Sequence, residues 1–181
     1  MAMKKKYFLF FLITIFTSVN TYASSEKDVR QSSNSPRGNW KYSTEFIGID
    51  KLKMLIATNR SINSLNLGFP YSGKNFGSLE LRNSDKYGVE LTLQIDKGQI
   101  ICGLYVCEGR IKFDNSASIE LRGDESSSGS RNFIFIRSSE ELIKSIQNSK
   151  KIYIEIPLYR DGNKILEFNV DGLNMEKLKL K

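Results

Sequence analysis

Cys102 and Cys107 are the chain's two cysteines, and they enclose Gly103-Leu104-Tyr105-Val106. In an oxidising compartment such a pair is a disulfide by default. A thiol redox site takes C-x2-C spacing, and two thiols in a chain without histidine cannot complete a zinc shell. The pair therefore reads as a structural disulfide that fixes a turn between two strands. Closing so short a loop constrains the unfolded chain by only about 2 kcal/mol.

Other chemistry is limited by composition. Without histidine there is no Ser-His-Asp or Cys-His nucleophilic apparatus and no imidazole acid or base near neutral pH. A serine hydrolase would then need a lysine base, as in S-x-x-K enzymes. The one match, Ser24 to Lys27, lies in polar sequence where nothing orients it, and the Ser-rich stretch 125–131 reads as a hairpin loop. Glu80, Asp85, Glu90, Asp96, Glu120, Asp124, Glu155 and Glu167 occupy the polar phase of strands or sit in turns. No spacing among them picks out the facing pair of unlike carboxylates that glycoside hydrolysis needs. Glu80 with Arg82, and Glu120 with Arg122, read as surface partners. G-x-S-x-G, a phosphate-cradling glycine loop and calcium-loop spacing are all missing. The expectation is a protein that is not an enzyme and carries no cofactor or metal.

Binding is better represented. The loop Phe69-Pro70-Tyr71-Ser72-Gly73-Lys74-Asn75-Phe76-Gly77 joins two strands and carries aromatics outside the alternating pattern, beside a cation. Loops on rigid sheets are common contact surfaces, and Tyr is favoured at interfaces. Tyr71, Lys74 and Phe76 are candidate interaction residues, with Tyr105 at the tip of the cysteine loop as a fourth. Tyr71 and Phe76 have an equally simple structural use as plugs at the end of the core.

The elements that must position these residues are short strands. Ser78 to Arg82 and Val89 to Ile95 alternate with period two, and Ile152, Ile154, Ile156 and Leu158 share one face. Further strands are predicted at 40–43, 53–58, 64–69, 99–102, 107–113, 118–122, 131–136 and 164–170. Ser138-Ser139-Glu140-Glu141 has a capping-box pattern, and Leu142, Ile143 and Ile146 follow at helical spacing. The tail 173–181 forms a last basic turn or frays. The expected class is mainly β, an antiparallel β-sandwich or partly open barrel with one short α-helix at about 138–148.

The 181 residues allow one domain. Lys4, Lys5 and Lys6 precede an apolar run from Tyr7 to Phe16, and Thr21-Tyr22-Ala23 supplies a cleavage site before Ser24. That run is too short to span a bilayer and has the form of a secretory signal. Residues 1–23 are read as the signal peptide, 24–38 as a disordered polar N-terminus and 39–181 as a single β-sandwich domain. Cleavage removes three lysines and no acid, leaving 24 basic against 20 acidic residues and a net charge of +4. So mild an excess does not indicate a nucleic-acid partner. The expected location is the periplasm or the extracellular medium, with no transmembrane segment after cleavage.

From Trp40 onward the chain resembles a group of uncharacterised exported proteins of Gram-negative bacteria. The resemblance rests on Trp40–Ser43, Phe69–Gly73, Ser78–Arg82, Gly98–Asp114, Arg131–Ile136, Lys150–Pro157 and Ile165–Leu173. More distantly the layout is similar to the type VI secretion-associated VasI/TagO family, from whose pattern the cysteine placement departs. That resemblance implies a periplasmic β-sandwich and a secretion-accessory role. The expected function is a non-enzymatic binding or accessory protein whose partner is another protein or an envelope component. The alternative is an inhibitor or immunity protein against a cell-wall hydrolase, with Tyr105 as its probe.

Overall fold

Alternation of apolar and polar residues sets the strands, and β-branched and leucine side chains fill the face they share. The computed structural model describes residues 38–104 and 106–179. The expected signal peptide, all of the polar N-terminus except Gly38, and Tyr105 lie outside the described residues. In chain order the elements are β1 (Lys41–Ile47), β2 (Leu52–Arg60), β3 (Gly77–Ser84), β4 (Gly88–Ile95), β5 (Cys107–Phe113), β6 (Ile119–Glu125), β7 (Phe133–Ile136), α1 (Glu140–Asn148), β8 (Lys151–Leu158) and β9 (Gly162–Asn169). A 3-10 turn at Met175–Leu178 follows, with Leu178 buried.

The strands form one nine-stranded sheet in the order β1-β2-β3-β4-β7-β6-β5-β8-β9, every neighbour antiparallel. The fold is mainly β, as expected, with a sheet that is not closed into a barrel. Its flanks nevertheless meet. Asn59, at the end of β2, donates from Nδ2 to the Asn169 carbonyl of β9 at 2.7 Å, and the Trp40 indole donates to the Val170 carbonyl at 2.9 Å. Just past β2, Ile62 donates its N–H to the Glu167 carbonyl, while the Asn63 amide bonds the Ile165 carbonyl and the Glu167 N–H. A side-chain amide thus stands in for a strand along the outer edge of β9. The enclosed core includes Leu79, Leu81, Leu91, Leu93, Ile111, Ile154, Leu166 and Phe168.

Helix α1 connects β7 to β8 and lies where the sequence places it. Its N-cap is Ser139, one residue later than the Glu141 spacing implies, because the Ser139 hydroxyl accepts from the Leu142 N–H at 3.2 Å. Ile146 is buried, and Leu142 and Ile143 pack at the margin of the core.

Two predicted strands are not strands. Residues 64–69 make a single bridge, Leu65 to Asn75, and 99–102 a single bridge, Ile100 to Leu158. In the first case β3 is already flanked by β2 and β4, so the segment has no open edge to join. Its alternation still seats Leu65 and Leu67 in the core. Through residue 179 the tail takes the ordered option: Asn174 caps the 3-10 turn, its N–H bonds the Tyr42 hydroxyl, and Asn83 donates to the Leu178 carbonyl.

Gly109 shows how closely β5 and β8 approach. A Cβ there would stand 2.6 Å from the Glu155 carbonyl oxygen, a backbone atom that cannot swing aside. Gly109→Ala is expected to lower unfolding free energy by about 1–3 kcal/mol, the usual cost of overpacking. Urea denaturation of the variant measures it, and a loss within error of zero would show that β8 gives way freely.

Candidate interaction surface

The loop 68–76 is held at both ends. Leu65 and Leu67 are buried in its first arm. In the second arm, fully buried Asn75 donates to the Lys97 carbonyl at 2.7 Å and accepts from the Lys97 N–H at 3.1 Å. These two bonds fasten the loop to the turn that follows β4. Phe76 donates its N–H to Asp96 Oδ2 at 3.0 Å, and Arg60 bonds the same carboxylate at 2.7 Å with its guanidinium 4.7 Å above the Phe76 ring. Tyr71 packs against the core, and its hydroxyl accepts from Gln99 Nε2 at 3.1 Å. Lys74 is exposed.

Two more segments join this loop. Gly68 donates its N–H to Asp161 Oδ1 at 2.8 Å, in the turn between β8 and β9. Tyr159, at the start of that turn, donates to the Gln99 carbonyl, and Ile101 donates to the Pro157 carbonyl, both at 2.9 Å. Residues 99–101 therefore run along the stretch of β8 that β5 leaves uncovered. Beyond them Cys102 and Cys107 are bonded, and Gly103 donates to the Val106 carbonyl at 2.8 Å.

Residues 99–101 thus link three chain segments: the loop at 68–76 through Tyr71, the β8–β9 turn through Tyr159, and the cysteine loop that follows them in the chain. They carry large apolar side chains into solvent. Leu104 is 93% exposed and Phe69 89%, with Tyr159 at 48% and Ile101 at 46%. The sequence-predicted residues divide accordingly. Tyr71 and Phe76 lie on the same loop, the first bonded by Gln99 and the second beneath the Arg60 guanidinium. Lys74 shares the loop, and Tyr105 lies outside the described residues. Phe69 and Leu104, which project furthest from these segments, are not among the residues singled out from the sequence. The available signal was an apolar residue directly before a proline, and another inside a loop of four residues closed by cysteines.

Elsewhere several charged groups are paired with one another. Arg137 bonds both carboxylate oxygens of Asp124 and holds that carboxyl below the usual range. Arg122 bonds Glu120 at 2.9 Å, Arg82 bonds Glu80 at 2.6 Å, and Lys151 bonds Glu167 at 2.6 Å. A groove of about 280 Å³ lined by Arg110, Lys112, Tyr153, Glu155 and Ile165 holds one carboxylate, Glu155, which accepts from Asn163. Among the described residues no three His, Cys, Asp or Glu side chains gather as a metal shell, and no helix is long and apolar enough to cross a membrane.

No protein-family model matches this chain, and no curated protein matches it. The crystal structure of invasion associated protein B from Bartonella henselae is similar over 75% of this chain and 87% of that one, with a TM-score of 0.45 and 13% identity. Likeness at that level carries no information about family or activity.

Proposed function

We propose that this chain is an exported, non-enzymatic binding protein of the periplasm that holds another protein against these linked loops, in a secretion-accessory role. The observation that carries the reading is the exposure of Phe69 and Leu104 on loops that are themselves fastened to the sheet. Large apolar side chains on rigid supports lose little conformational entropy on binding, and such residues anchor protein interfaces. Export rests on the tripartite N-terminus and agrees with the bonded cysteine pair.

The test is site-specific photocrosslinking in the cell envelope, with the reactive residue at position 69, at 104, or at 128 in the serine loop as control. Positions 69 and 104 are expected to capture one and the same protein. The reading fails if neither gives an adduct above position 128.

The inhibitor reading draws support from one feature, the disulfide-closed loop with Leu104 projecting from it. On that reading the protein inhibits a cell-wall hydrolase, and Tyr105→Ala abolishes inhibition with no change in melting temperature. Unaltered inhibition by the variant removes the idea.

A further inference from the structure

The two outermost strands of the sheet are treated differently. The outer edge of β9 is covered by Ile62 and by the Asn63 amide. The outer edge of β1 has no ladder partner among the described residues: β1 pairs with β2 alone. An uncovered edge of seven residues is a template for another strand, and proteins usually blunt one with proline, a bulge or unmatched charge. β1, Lys-Tyr-Ser-Thr-Glu-Phe-Ile, has no proline or glycine, and most of it is exposed.

Its charges also match themselves. In an antiparallel pair centred on Ser43 and its copy, Lys41 lies opposite Glu45 of the second chain, and Glu45 opposite Lys41. On the other face Tyr42 meets Thr44, and Phe46, 65% exposed, lies toward the end of the paired stretch. A single two-fold axis therefore yields two opposite-charge pairs, a cross-strand combination that stabilises sheets. Among the described residues no ion pair already engages Lys41 or Glu45. A foreign strand would need this pattern by coincidence; a second copy of the chain has it necessarily.

We infer that β1 is a self-pairing edge through which two copies of this chain join their sheets antiparallel about Ser43. The inference uses none of the residues of the loop surface, so either can fail without the other.

Sedimentation of the purified protein over a concentration series is expected to show a monomer–dimer equilibrium. Glu45→Lys sets lysine against Lys41 twice and should weaken the dimer about tenfold, two attractive pairs having become repulsive. The double variant Lys41→Glu/Glu45→Lys restores both pairs and should recover the dimer. That recovery separates pairing from damage to the fold. Ser43→Cys supplies a direct mark, because residues directly opposite in an antiparallel ladder lie about 4.5–5.5 Å apart at Cα, within disulfide reach. Oxidation should give a covalent dimer, whereas Ser128→Cys should not. The inference is overturned by a monomer at every concentration. It is overturned equally by a dimer that ignores Glu45→Lys and forms no 43–43 bond. Phe69→Ser is expected to leave the dimer intact.

Discussion

Phe168→Ala is expected to lower the unfolding free energy by about 3–5 kcal/mol, the range for emptying a large buried aromatic site. A domain of this size is stable by only about 5–15 kcal/mol in total, so the change removes roughly a fifth or more of it. Phe168 is fully buried on β9, opposite Ile152 of β8 in the register. Its strand has a complete ladder on one side and a few bonds from Ile62 and Asn63 on the other. The attachment of β9 therefore depends on Leu166, Phe168 and Val170, all fully buried. At Gly77 of β3 a Cβ would come within 2.6 Å of Leu166, which shows how little slack the opposing flank leaves. Relaxation around a lost ring is limited where packing is this close, which puts the expected cost in the upper part of the range. Guanidinium denaturation gives the value. A loss below about 1 kcal/mol would mean that β9 is loosely held and that the enclosed core ends at β8.

Much of this fold was legible because the inner face of each strand is nearly uniform. In β8 the alternation of Ile152, Ile154, Ile156 and Leu158 with Lys151, Tyr153, Glu155 and Pro157 states the strand and its buried face together. The helix was equally plain, since its cap and its apolar stripe agree. What periodicity cannot carry is pairing. β7 sits between β4 and β6, and β5 between β6 and β8, an order decided by contacts among residues far apart in the chain. The same limit explains residues 64–69, which alternate like a strand but find every neighbouring edge occupied. It also explains the surface loop. Composition marks Tyr71 and Phe76 as unusual, yet Gln99, Arg60 and Asp96, remote in sequence, engage them and leave Phe69 to project.

The double variant Phe69→Ser/Leu104→Ser is expected to weaken binding to the partner that positions 69 and 104 capture by at least about a hundredfold, with no change in melting temperature. Hot-spot residues at the centre of an interface cost about 2 kcal/mol or more each when truncated, and a hundredfold loss is about 2.7 kcal/mol. Stability should not move, because both side chains stand almost wholly in solvent and substitutions at such sites usually fall within about 0.5 kcal/mol. Tyr71→Ala behaves differently. Its ring packs against the core and its hydroxyl accepts from Gln99, so that variant should lose stability and binding together. The contrast assigns roles: a projecting residue acts by contact, a braced one by holding the loop in place. Calorimetric titration with the captured partner, run beside thermal melts of each variant, separates the two. Binding retained by the double variant would move the interface away from these loops. A matching fall in melting temperature would place Phe69 and Leu104 among the supports, and contact would then have to come from Tyr159 and Ile101.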